Sequence, residues 1–206
     1  MNYKLTLLLL VLSLTKTGIS QKTNFGVSGG ITLASLHANS GDESENSASK
    51  IGFTGGIFLQ TPISKNVAFN TGMNYVQKGW QAPDLDPDET DEMTLNYLEV
   101  PLNILYTNNG FFVGGGPVIG LGLSGKYKYS EFDGITTEDV TFGSDNDDVK
   151  QFEFSGNLLA GYQMKNGLMF SAGYNMGFTT LINPDMDGSI KNRFWSLKIG
   201  YLFSRK

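Results

Sequence analysis

The chain has 206 residues, 26 of them glycine and none cysteine, and a formal net charge of −5 at pH 7. Without cysteine there is no disulfide framework, thiolate-bound metal, lipoprotein anchor cysteine or thiol nucleophile, and a single histidine nearly excludes a His-based metal site. The acidic balance argues against nucleic-acid partners, and abundant glycine with many Tyr and Phe suits a β-protein with tight turns.

The first twenty residues read as a leader. Met1-Asn2-Tyr3-Lys4 is a short basic start, Leu5 to Leu14 is an apolar run too short to span as a helix, and Gly18-Ile19-Ser20 is a small-x-small cleavage site before Gln21. Together they predict a cleavable signal peptide over 1–20, which leaves 21–206 as one domain. Loss of Lys4 and Lys16 takes the formal charge from −5 to −7.

The rest alternates in period 2, the signature of strands with two unlike faces. Strands are predicted over about 23–36, 50–61, 67–77, 97–106, 111–125, 151–163, 168–180 and 192–204. The connections alternate in length. Long polar stretches occupy 37–49, 79–93, 126–150 and 181–191, and short turns occupy 62–66, 107–110 and 165–167. In an up-and-down barrel the four long loops share one end and the three turns the other, which is the outer-membrane pattern. Eighteen of the 20 acids fall in the long loops. The other two, Glu99 and Glu153, lie in strands on the polar parity.

The stretch from Tyr97 to Tyr106 decides the orientation. Leu98, Val100, Leu102, Ile104 and Tyr106 form one face, and Tyr97, Glu99, Pro101, Asn103 and Leu105 the other. A membrane barrel turns the first face to lipid and the second to the lumen. A soluble ligand-binding barrel would turn Leu98, Val100 and Leu102 inward and leave Glu99 and Lys198 outside. Pro101 removes a ladder donor in mid-strand, which predicts a bulge or local break there.

Tyr97-Leu98-Glu99-Val100-Pro101-Leu102, then Gly115-Gly116-Pro117-Val118-Ile119-Gly120, then Gly200-Tyr201-Leu202-Phe203 resemble the PorT-like outer-membrane β-barrel family of Bacteroidetes over nearly the whole mature chain. The resemblance implies the barrel fold and an outer-membrane address, with some members linked to secretion and gliding systems, but no single activity. Gly173 stands where the resemblance would place a basic residue.

Glu99, Glu153, Lys198, Lys78, Asn103 and Asn157 are candidates for a structural polar network in the lumen, since a buried carboxylate needs a partner. Gly120-Leu121-Gly122-Leu123-Ser124-Gly125-Lys126 matches G-x-G-x-x-G, but no helical pattern follows to bind phosphate. Its glycines read instead as room for large lumen side chains. Asp84, Asp86 and Asp88, like Asp145 and Asp147, could weakly bind divalent cations through carboxylate oxygens, though they do not form an EF-hand. His37 near Ser35, Ser40 and Glu43 is the one candidate for lipid-modifying catalysis. Aromatics near the strand ends predict two girdles: Tyr75, Trp80, Tyr97, Phe152, Tyr174, Phe178 and Trp195 at the loop end, and Phe69, Tyr106, Phe111, Phe112, Tyr162, Phe170, Tyr201 and Phe203 at the turn end.

The sequence thus predicts an all-β, eight-stranded antiparallel up-and-down transmembrane barrel in the outer membrane. Its lumen is filled by side chains. Its function is non-catalytic and sits in the acidic loops, as adhesion, partner docking or envelope structure. No metal or other cofactor is expected. Expected partners are outer-membrane lipid and lipopolysaccharide, the barrel assembly machinery, and surface or secretion-system proteins. The competing readings are a soluble exported barrel for an apolar ligand and a lipid-modifying enzyme.

Overall fold

The computed structural model describes residues 23–40, 43–82, 91–131, 134–143, 149–181 and 189–203. The leader over 1–20 and the aspartates at 84, 86, 88, 145 and 147 lie outside the described residues.

Eight strands form the wall: β1 (Asn24–Ser40), β2 (Ala48–Pro62), β3 (Val67–Gln81), β4 (Asp91–Asn108), β5 (Phe111–Glu131), β6 (Phe152–Gln163), β7 (Leu168–Gly177) and β8 (Ser189–Phe203). Each pairs antiparallel with its neighbour in sequence, and β8 returns to β1 from Phe25↔Phe203 through Asn39↔Ser189. The barrel is closed, so it leaves no sheet edge with unpaired backbone groups. Among the described residues no helix is long and apolar enough to cross a membrane, which says nothing against crossing by strands.

Sequence chemistry sets the turns. Asn109 and Gly110 both have positive φ, 49° and 88°. This is the mirror-image two-residue turn, whose twist matches that of the flanking strands.

Face assignment follows from β4. Leu95, Tyr97, Glu99, Pro101, Asn103 and Leu105 are buried, while Leu102, Ile104 and Tyr106 are exposed. The same parity runs round the wall, with Ile31, Ile57, Val113, Leu158, Leu197 and Ile199 all turned out and more than a third exposed. A soluble barrel would not turn its aliphatics outward and bury glutamates. The arrangement a soluble apolar-ligand barrel needs, with Leu98, Val100 and Leu102 inside, is the reverse of the one found.

The structure corrects several sequence-based expectations. β4 begins at Asp91 rather than near 97, and β5 runs on to Glu131 rather than ending near 125. Asp91, Glu92 and Glu131 therefore lie on strand extensions at the loop end. Gly134–Val140 pairs back on β5, Glu43–Asn46 pairs with β1, and Phe142–Gly143 pairs with Val149–Lys150. At Pro101 the expectation of a bulge or local break holds in its second form. The β3–β4 ladder steps from Asn74↔Glu99 to Thr71↔Leu102 in unchanged register, a local break where the proline lacks its N–H. The β4–β5 register shift falls instead between Asn96 and Tyr97, with Leu123 the extra residue.

The girdle assignments of Tyr97, Phe112 and Trp80 are also corrected. Tyr97 and Phe112 are buried in the lumen, because they share parity with Glu99 and Val118. Trp80 packs on Tyr127, whose ring belongs to the apolar cluster in the barrel mouth.

Candidate functional site

Gly120 sets the centre of the lumen. On β5 it pairs with Glu99 of β4 on one side and with Glu153 of β6 on the other, so all three share a rung and a face. A Cβ at Gly120 would lie 3.4 Å from the Tyr97 ring and 3.5 Å from the Glu153 Cβ. A methyl group fits there and a branched side chain does not. The glycine-rich stretch 120–125 is thus extended strand, with no helix N-terminus behind it to hold a phosphate.

Lys78 reaches into this rung from β3. Its ammonium lies 2.7 Å from Glu99 Oε1 and 2.9 Å from Glu153 Oε1. It donates a hydrogen bond to Glu153. The contact with Glu99 is an ion pair lying off the hydrogen-bonding direction, since that oxygen accepts no hydrogen bond. Asn192 of β8 donates to Glu153 Oε2 at 2.6 Å. The Lys78 Nζ also lies over the rings of Tyr97 and Phe194, at 4.4 and 5.3 Å from their centroids. Lys78 and Glu153 are 1% exposed and Glu99 5%. Such charges persist in a low-dielectric interior only when paired in this way.

Toward the turn end lies a cavity of about 90 Å³. Glu99, Asn103, Asn157 and Lys198 line it, together with Asn74, Asn175 and Ser196. The side-chain oxygens of Asn103 and Asn175 accept no hydrogen bond from the protein. Four of the six expected network residues therefore face one cavity, while Lys78 and Glu153 form the cluster on its loop side. Lys198 makes no ion pair among the described residues. Asn192, Asn74 and Asn175 were missed in the sequence, although Asn192 shares parity with Phe194, Ser196 and Lys198.

Apolar clusters close both ends. Phe58, Leu105, Phe112, Met169 and Leu202 fill the turn end. At the loop end Leu95, Tyr97, Val140, Val149 and Leu181 pack together with Phe142. The Phe142 ring occupies the space that a Cβ on Gly122 would take, and it meets Tyr97 edge-on at 5.7 Å.

Above this plug the strand extensions form a polar rim. Lys50 donates to Glu92 Oε2 at 2.7 Å and Lys128 lies 3.3 Å from Glu92 Oε1. The hydrogen bond from Lys50, more than any other influence, holds the Glu92 carboxyl below the usual carboxylate range. Tyr127 stacks on Tyr129 at 5.3 Å, and its phenol is pushed up to about 12, chiefly by its hydrogen bond with Asp91. Tyr129 donates to Glu138 Oε1 at 2.9 Å. His37 pairs with Lys191 across β1 and β8, and Ser35 with Arg193. The side chains of Ser40 and Glu43 lie outside the described residues.

The profile of the outer membrane protein beta-barrel domain matches residues 19–183. No curated protein matches. Among solved structures, the attachment invasion locus protein Ail of Yersinia pestis has 15% identity and a TM-score of 0.50, covering 88% of this chain and 99% of that one. The Neisserial surface protein A shares 13% identity at a TM-score of 0.46, covering 88% and 99%. OprG of Pseudomonas aeruginosa shares 12% at 0.39, covering 90% and 98%. At 15% identity the likeness to Ail speaks to fold alone. With four-fifths of its length under the family profile and a closed eight-stranded wall, the chain belongs to the outer membrane protein beta-barrel domain family.

Proposed function

We propose that this protein is a non-catalytic outer-membrane barrel that works as a surface docking or adhesion element, with its leader removed on export. One observation carries the reading: the lumen is blocked at three levels, by two apolar clusters and the Lys78–Glu99–Glu153 cluster between them. Solute transfer through the centre is thereby disfavoured, and function moves to the rim. There β5 and Gly134–Val140 rise as a hairpin, with Ile135 61% exposed near its tip. Lipopolysaccharide, the barrel assembly machinery and surface or secretion-system proteins are the partners this reading calls for, and nucleic acid is not among them. The Tyr97–Leu102 element supports a PorT-like place within the family and, through it, a secretion or gliding association.

The test is a photo-crosslinking residue at Ile135 on intact cells, run beside liposome swelling with small sugars. A discrete crosslinked partner without swelling supports the reading. Swelling at porin-like rates with no crosslink would replace it with a channel.

A further inference from the structure

We infer that the outer wall carries a lipopolysaccharide-phosphate site on β8, formed by Arg193 and Lys191 above Trp195 and Tyr174; this rests on the membrane-barrel reading above.

On β8 Asn192 and Phe194 turn into the lumen, toward Glu153 and Lys78, and Ile190 packs into the mouth cluster. Lys191, Arg193 and Trp195 therefore turn outward. From the turn end the outward column reads Ile199, Leu197, Trp195, then Arg193 and Lys191. The first three are more than half exposed, so this is an apolar band that stops at an aromatic and continues as two cations. Trp195 meets Tyr174 at 4.7 Å, the aromatic pairing expected where hydrocarbon gives way to headgroups. The cations lie one and two outward positions above it, at the depth of the headgroup phosphates.

Among the described residues neither cation makes an ion pair. Arg193 opposes Ser35 on one side and Met176 on the other, and Lys191 opposes His37. The Arg193 Nε is buried without a hydrogen-bond partner. The β4–β5 wall differs: Lys50 and Lys128 share Glu92. Among the described residues, β8 is where the rim sets a planar guanidinium and an ammonium on one outward column with no ion pair to either. With Nε turned into the wall, a phosphate would take its two parallel N–H bonds from the Nη pair of the guanidinium, with the ammonium as a second point charge. The indole and phenol below suit the sugar and upper acyl region of a phosphorylated glycolipid, as amphipathic rings do at a membrane interface.

The test uses the full mature chain carrying Trp80→Phe, which leaves Trp195 as the single tryptophan. The protein is inserted in phosphatidylcholine vesicles, with insertion checked by heat-modifiable gel migration. Trp195 emission is then followed as bisphosphorylated lipid A is added. The expected result is a saturable shift that dephosphorylated lipid A does not produce. Arg193→Gln and Lys191→Gln should each weaken it at least about tenfold, as for loss of one charge-assisted bond, with Arg193→Lys intermediate. Lys65→Gln with Lys165→Gln, in the turns at the other end, should leave it unchanged. An equal response to dephosphorylated lipid A or to phosphatidylglycerol overturns the assignment, as does indifference to both β8 variants. Failure of the parent chain to insert would instead overturn the membrane barrel itself.

Discussion

Glu99 and Glu153 lie on strands that never pair, yet one lysine ion-pairs with both, because the residue between them on β5 is Gly120. Removing the shared cation leaves two buried carboxylates facing each other. Lys78→Met should cost about 3–5 kcal/mol, read as a lower thermal midpoint in detergent and early loss of heat-resistant migration. Adding Glu99→Leu and Glu153→Gln to Lys78→Met should restore much of that loss. If Lys78→Met unfolds like the parent, the cluster does not stabilise the barrel.

The glycines at and above this rung divide by what their missing Cβ would meet. At Gly120 the neighbours stand at 3.4 Å or beyond, so Gly120→Ala should leave migration unchanged. At Gly122 the Phe142 ring fills the space, so Gly122→Ala should expel it from the mouth. Limited proteolysis of the folded protein checks this: cleavage near 141–143 should rise in Gly122→Ala and not in Gly120→Ala.

The outward aliphatics test the membrane assignment. Ile104 is half exposed on the wall, and Ile104→Arg should cost about 2–4 kcal/mol if it faces mid-bilayer. Urea titration of the barrel refolded in lipid vesicles gives the value. A shift under half a kcal/mol would place that face in water.

The rim should respond to acid. Glu92 is held below its unfolded carboxyl value by Lys50 and Lys128. Its contribution is therefore complete above the unfolded pKa of about 4.3 and fades as pH falls through the lower folded value. For a pair this near the surface it amounts to at most about 1 kcal/mol. The thermal midpoints of the parent and of Glu92→Gln should differ at pH 7 and converge toward pH 3. A gap that persists at pH 3 would assign the effect to packing.

The sequence determined the fold class because barrel strands face two solvents, and that demand writes itself into every second residue. Loop lengths and the placement of 18 acids then fixed which end is which, and parity alone put Glu99, Glu153, Lys78 and Lys198 in one lumen. Only the tertiary structure decided who meets whom. Register set Glu99 and Glu153 beside Gly120, and barrel closure brought Lys78 and Asn192 to the two oxygens of the one Glu153 carboxylate. Lys198 was left beside a cavity, because parity gives a face and not a depth. The strand extensions and the Phe142 plug were equally hidden. Each depends on segments far apart in sequence packing together, which no local pattern records.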